Sequence, residues 1–219
     1  MSEISKRITT SIFLIFCLFV AIYNKIILFL ILCFIFTQIL YEIHILLKKI
    51  FYQNKLKNYL VLFLFNIYTS LFIFINWLIF SSNDLENKIY LIFIISICIS
   101  TDIGGYIFGK LFKGPKLTKI SPKKTYAGVF GGFLFSLIAG LFVYEYKYID
   151  LFLYNGFYFF IIILFISLIS QVGDLIISYF KRKAKIKDTG KILPGHGGLL
   201  DRIDGMIFVF PICYLITIS

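Results

Sequence analysis

Between residues 174 and 204 the sequence gathers side chains that can handle phosphates: three acids in Asp188, Asp201 and Asp204, a fourth in Asp174, one histidine in His196, and seven cations from Lys181 to Arg202. Asp201 and Asp204 are three residues apart, so on a helix their carboxylates share a face, with Arg202 beside them. After Gly190, the run Leu193-Pro194-Gly195-His196-Gly197-Gly198 cannot continue a helix and reads as a tight loop, with Leu199 starting the last helix. Backbone N–H groups of such a loop and of the helix start favour an anion. Two carboxylates beside an anion, with Asp174 arriving from another span, suit a hard cation such as Mg2+ that bridges to substrate phosphates. A lone Asp pair at a helix start is more often a cap, but three converging Asp among seven cations ask for more.

A second basic stretch runs from Gly109 to Gly128 and contains Ser121-Pro122-Lys123-Lys124-Thr125. The proline fixes the backbone, the adjacent ammonium groups bind phosphate as point charges, and the flanking hydroxyls can reach the same oxygens. The plainer reading is a lysine patch that sets topology and attracts anionic lipid. Just before it, Asp102 sits at the inner end of an apolar segment, where an acid facing lipid is costly and marks a functional candidate by default. The alternative is an Asp paired with a loop lysine for structure alone.

The elements that must position these groups are apolar. Of 219 residues, 60% are hydrophobic and only 15% charged, with mean hydropathy +0.93, which a soluble domain of this size does not need to fill its core. Seven apolar stretches are expected, near residues 8–23, 26–47, 59–80, 89–108, 126–144, 156–180 and 206–219, the first and last being short. None alternates in polarity as barrel strands do. The expected fold is therefore an all-α polytopic membrane protein of about seven transmembrane helices. With the N-terminus in the cytoplasm, 19 of the 22 Lys and Arg fall in inner loops, and both basic motif loops face the cytosol. Net charge +11 then describes an inner surface that attracts anionic lipid, and nothing argues for nucleic acid. Cys17, Cys33, Cys98 and Cys213 lie in apolar spans without metal-ligand spacing and read as small buried hydrophobes. No small-residue cleavage site follows the first apolar run, so it is expected to be a retained span.

Two spans carry patterned small or polar residues. Gly128, Gly132, Ser136 and Gly140 recur every four residues in the fifth span, a stripe for close helix packing within the monomer or across a homodimer. Ser167, Ser170, Gln171, Asp174, Ser178 and Lys181 make one polar stripe along the sixth, which must face the bundle interior. Residues 1–95 carry little chemistry; Glu42 and His44, followed by Lys48 and Lys49, read as an interfacial ion pair rather than a site. A single integral membrane domain is expected over residues 1–219, with 96–219 as its catalytic half.

The order and spacing of Ser178, Lys181-Arg182, Lys187-Asp188, Gly190, Leu193-Pro194, His196-Gly197-Gly198, Asp201-Arg202 and Asp204 resemble the signature of the phosphatidate cytidylyltransferase (CDP-diacylglycerol synthase) family. The likeness extends upstream through Gln171 to Leu175, Ile120 to Thr125, and Asp102 to Lys110, roughly the C-terminal half. It departs at Ala127, where the family usually has Glu, and the chain is short for the family. The resemblance implies transfer of CMP from CTP to phosphatidate at the cytoplasmic side of a bacterial inner membrane. It implies Mg2+ held by Asp174 and Asp201 with Asp204 in support, a monovalent cation such as K+ being a further candidate. Lys123, Lys124, Lys181 and Arg202 are then expected at phosphates. Asp102, Ser121, Thr125, Ser178, Arg182, Lys187, Asp188, Gly197 and Gly198 are expected to line the substrates. His196 either donates to leaving pyrophosphate or holds the turn. The rivals are a CTP-dependent polyprenol or dolichol kinase and, in another class, an anionic-solute transporter. Against the transporter, no inverted repeat is visible, and the polar groups crowd one membrane face instead of its midplane.

Overall fold

The computed structural model describes residues 3–82, 84–118, 121, 124–145, 156–195 and 197–218. Lys123 and His196, both expected at the site, lie outside the described residues. Among the described residues eight helices follow in order: α1 (Glu3–Tyr23), α2 (Lys25–Ile50), α3 (Lys55–Ser81), α4 (Leu85–Phe112), α5 (Tyr126–Glu145), α6 (Gly156–Lys183), α7 (Leu200–Ile203) and α8 (Met206–Ile218). Among the described residues there is no β-strand, only isolated bridges between Lys116 and Thr125 and between Leu193 and Gly197. Helices α2 to α6 each contain a stretch long and apolar enough to cross a membrane, while α1 and α8 contain shorter ones, Ile8–Ala21 and Met206–Leu215. Large apolar side chains such as Phe16, Phe63, Leu64, Phe142 and Phe157 are more than half exposed, an outer surface that suits hydrocarbon and not water. The chain is thus an all-helical membrane protein with several spans.

The chain divides into two compact units. The first comprises α1 to α3, the last turn of α6 from Phe180, the loop that follows, and α7. In α2, Leu28, Leu32, Ile39, Ile43, Leu46 and Leu47 are buried at helical spacings, and α3 supplies Phe72, Ile75, Ile79 and Phe80 to the same core. Asn24 and Asn54 start α2 and α3 by accepting from the amides of Ile26, Ile27 and Lys57, which relieves N–H groups a helix cannot pair itself. The last turn of α6 is fastened by an edge-on contact of Phe180 with Phe65 and by Lys183 lying over the ring of Phe51. It ends in a Schellman turn: Ile186 N–H donates to Lys181 C=O at 3.0 Å and Lys185 N–H to Arg182 C=O at 3.0 Å, with Lys185 itself left-handed at φ 56°.

The second unit comprises α4, α5, α6 up to Tyr179, and α8. Here the stripe of small residues is used within the unit. A Cβ on Gly128 would stand 2.9 Å from the Gly105 carbonyl, one on Gly132 would meet Thr101 and Gln171, and one on Gly140 would collide with Ile163. Gly131, off the stripe by one position, is as tightly placed against Phe108 and the Gly104 carbonyl. The polar stripe of α6 turns inward as well. Ser167 and Ser170 are buried, Thr101 donates to Ser167 Oγ at 2.9 Å, and Gln171 reaches the same oxygen at 3.4 Å.

The expected single last helix is interrupted. α7 is one turn long and Asp204-Gly205 separates it from α8; at Gly205 the backbone passes so close to Ser170 that its carbonyl would lie 2.9 Å from any Cβ there.

Candidate functional site

In the first unit the sequence after α6 builds a loop whose polar groups close on themselves. Reciprocal bonds between Leu193 and Gly197, at 3.0 and 3.1 Å, bring the chain back on itself just after Pro194 and Gly195. Gly195 and Gly197 take φ of 77° and 87° there, which a residue with a side chain adopts only at a cost. The next three amides start α7, and all three are answered by carboxylates: Gly198 N–H donates to Asp201 Oδ2 at 3.0 Å, Leu199 N–H to Glu42 Oε1 at 2.8 Å, and Leu200 N–H to Glu42 Oε2 at 3.0 Å. The loop was expected to offer such amides to a bound anion; the protein's own acids occupy them instead.

Lys181, in the last turn of α6, places its ammonium between the two acids of α7. Nζ lies 2.9 Å from Asp201 Oδ1 and 3.8 Å from Asp204 Oδ2, with side chains only 10%, 6% and 13% exposed. Asp201 is held on its other oxygen too, since Oδ2 also accepts from Thr189 N–H at 2.8 Å. The expectation that Asp201 and Asp204 share a face holds, and the cation that meets them first is Lys181. Around this cluster Arg182, Lys187, Asp188 and Arg202 are exposed, and the Arg182 guanidinium donates to the Ile186 carbonyl at 3.2 Å. Gly197 and Gly198 line the cluster through their backbone, a Cβ on Gly197 meeting Asp201 Oδ2 at 3.1 Å.

Glu42 is the residue that sequence reasoning misplaced. It is 1% exposed and makes no ion pair with Lys48 or Lys49 among the described residues. Besides the two amides of α7 it accepts from Gln38 Nε2 at 2.8 Å and from Thr189 Oγ1 at 2.6 Å. A buried carboxylate is tolerable only when its lone pairs are met in this way. The only local signal was Gln38, one helical turn earlier on the same face; Thr189 sat unremarked between Asp188 and Gly190.

The second unit holds the other expected residues. Asp174 is ion-paired through Oδ2 with Lys124 and accepts from Ser178 Oγ at 3.2 Å on Oδ1. Lys124 and Asp174 keep about a quarter of their side-chain surface exposed. Thr125 caps α5, its Oγ1 accepting from Gly128 N–H at 3.1 Å, and Ser121 is buried in the turn before it, donating its N–H to Thr118 Oγ1 at 3.2 Å. Asp102 stands exposed on α4.

Among the described residues no group of three or more His, Cys, Asp and Glu forms a metal cluster. Mg2+ asks for less when substrate phosphates complete its shell, one or two carboxylates being enough. The paired oxygens of Asp201 and Asp204 fit that demand in kind, since they already face a positive charge in Lys181. The arrangement can therefore gather anionic oxygens against ammonium groups and carboxylate-held metal. It contains no serine, cysteine or histidine poised as a nucleophile among the described residues of the cluster.

The whole chain, residues 1–219, matches the model of the cytidylyltransferase family. Among curated proteins it is similar to the phosphatidate cytidylyltransferase of Rickettsia prowazekii (strain Madrid E), 44% identical over 149 residues that make up 66% of this chain and 65% of that protein. The protein of the same name from Rickettsia typhi (strain ATCC VR-144 / Wilmington) is 45% identical over 148 residues, again 66% of this chain and 65% of the relative. That of Staphylococcus epidermidis (strain ATCC 12228 / FDA PCI 1200) is 40% identical over 146 residues, 66% of this chain and 55% of the relative. The chain thus spans somewhat less than two thirds of the length of these relatives.

Proposed function

Because the chain belongs to the cytidylyltransferase family, we propose that it transfers CMP from CTP to phosphatidate, giving CDP-diacylglycerol and pyrophosphate. A phosphate oxygen of the lipid attacks the α-phosphorus of CTP, and the bond from that phosphorus to the bridging oxygen breaks as pyrophosphate leaves. Two anionic reactants must be brought together, so positioning and charge neutralisation are the main tasks, and no protein nucleophile is required. The observation that carries this reading is the buried ammonium of Lys181, seated between Asp201 and Asp204 beside a loop rich in cations.

Within it Lys181 and Arg202 in the first unit, and Lys123 and Lys124 in the second, are assigned to phosphate oxygens. Asp201 with Asp204 is assigned to Mg2+, as is Asp174 in its own unit. When bound, the metal would supply charge neutralisation on the phosphates. Thr189 and Gly198 hold the second oxygen of Asp201 in place through their amides. Ser121, Thr125, Ser178, Arg182, Lys187 and Asp188 are assigned to substrate contacts, and His196 to the leaving pyrophosphate or to the turn. The lipid reactant and the apolar helices both place the reaction at a membrane, and the cytoplasmic face of a bacterial inner membrane fits the loop charges. A homodimer gains no support from the small-residue stripe, which is covered within its own unit.

Purified protein supplied with CTP, phosphatidate and Mg2+ should release pyrophosphate and form CDP-lipid in equal amounts. Formation of CDP with a newly phosphorylated lipid would instead make the protein a CTP-dependent lipid kinase and overturn the proposal.

A further inference from the structure

The carboxylate of Glu42 lies in α2, yet its partners lie almost wholly in the segment from Thr189 to Leu200, 147 or more residues away. It supplies acceptors to two amides of α7 that would otherwise be buried without partners, and it takes the Thr189 hydroxyl at 2.6 Å. Thr189 has one hydroxyl proton, and the nearer acceptor is Glu42, Asp201 Oδ2 being 3.1 Å off. Asp201 Oδ2 is held by the amides of Thr189 and Gly198, so whatever fixes those two residues fixes Asp201, and through its other oxygen the Lys181 contact. The fit is close on both sides: a Cβ on Gly190 would stand 2.8 Å from Glu42 Oε1, and one on Gly198 would overlap Oε2.

We infer that Glu42 is a positioning residue for the reaction proposed above, acting through Thr189 and the start of α7 to aim the Asp201 carboxylate. The inference rests on that reaction for its catalytic consequence, but not for its structural one. Replacing the carboxylate by an amide turns one acceptor into a donor that faces N–H groups, which releases the loop without removing any group that touches substrate. A residue needed only for folding would lower the amount of active protein and leave the survivors with ordinary substrate and metal requirements. A positioning residue changes those requirements in the folded protein.

The test is Glu42→Gln in the full chain in detergent, beside Thr189→Val and Thr189→Ser. Hydrogen exchange should show the Leu199 and Leu200 amides at least tenfold faster in Glu42→Gln, with α4 and α5 unchanged. CDP-lipid formation per folded molecule should fall at least thirtyfold, with the Mg2+ concentration for half-maximal rate raised at least threefold. Thr189→Val should show the same change in metal requirement, and Thr189→Ser, which keeps the hydroxyl, should restore most of it. Unchanged exchange at Leu199 and Leu200, or turnover lost with an unaltered Mg2+ requirement, would overturn the inference. If Glu42→Gln does not fold, the Val and Ser pair at Thr189 decides alone, and equal behaviour of the two overturns it. A wild-type protein that forms no CDP-lipid defeats the proposed reaction, whereas the exchange comparison still decides whether Glu42 sets the loop.

Discussion

Lys181 Nζ and Asp201 Oδ1 form a buried ion pair at 2.9 Å that ties the last turn of α6 to the one-turn helix α7. Removing one partner of such a pair leaves an uncompensated charge, which costs about 3–5 kcal/mol, while replacing both by uncharged residues of similar size costs less than removing either alone. Lys181→Met should therefore lower the melting temperature in detergent more than Lys181→Met combined with Asp201→Asn. A double variant melting below both singles would show that the pair does not hold the segment.

Turnover should divide differently from stability. Asp201→Asn keeps size and removes charge, so CDP-lipid formation should drop by at least about a hundredfold, roughly 3 kcal/mol of lost stabilisation at a phosphoryl centre. Excess Mg2+ or Mn2+ should return part of that loss. Lys181→Met should raise the substrate requirement without altering the metal titration. An Asn variant with near-normal turnover and an unchanged Mg2+ titration would remove Asp201 from the proposed metal site.

The α4–α5 contact yields a contrast between two glycines. A Cβ on Gly131 would collide with Phe108 and lie 2.6 Å from the Gly104 carbonyl, whereas one on Gly105 finds only the Gly128 carbonyl, at an ordinary 3.5 Å. Gly131→Ala should destabilise by about 1–3 kcal/mol. Gly105→Ala should be neutral or stabilising by up to about 1 kcal/mol, through the helix propensity gained. Thermal or denaturant unfolding in detergent ranks the two, and equal behaviour would refute the close approach.

How far the sequence could have led differs between these features. Runs of apolar residues and the three-and-four spacing of Ser167, Ser170, Gln171 and Asp174 are local periodicities, and they showed which helices form and which face of α6 turns inward. The every-fourth-residue stripe likewise marked Gly128, Gly132 and Gly140. Gly131 escaped because its need for a bare backbone comes from Phe108 on another helix, not from its own neighbours. The need for a bare backbone at Gly205 was hidden for the same reason, since it comes from Ser170. Glu42 was misread because a carboxylate beside Lys48 and Lys49 looks locally paired, while its real partners are separated from it by most of the chain. Of the loop amides expected to bind an anion, those of Leu199 and Leu200 are committed to Glu42 by contacts no short window contains, while the Gly198 bond to Asp201 spans only three residues.

Lys185 terminates α6 in a left-handed conformation that suits glycine. Lys185→Gly should raise stability by about 0.5–1 kcal/mol while leaving the Schellman bonds in place. A lower melting temperature would mean that the lysine side chain contributes more than its backbone strain removes.

The proposed orientation, which the charge bias favours, has each basic loop on the cytosolic side. Single cysteines at Lys116 and at Lys185, in a background freed of Cys17, Cys33, Cys98 and Cys213, should react with membrane-impermeant reagents only after the membrane is opened. Labelling of either in intact cells would reverse the proposed orientation.

The bond between Glu42 and Thr189 also sets an order of events during biosynthesis. Glu42 leaves the ribosome 147 residues ahead of Thr189, an interval of roughly 7–30 s at about 5–20 residues per second. Throughout that time α2 must settle in or near the bilayer with a carboxylate whose loop partners do not yet exist, its only early neighbour among them being Gln38. The first unit therefore matures last at its centre: its N-terminal helices can insert early, but they acquire their final packing only when the segment carrying Thr189, Leu199 and Leu200 emerges and docks.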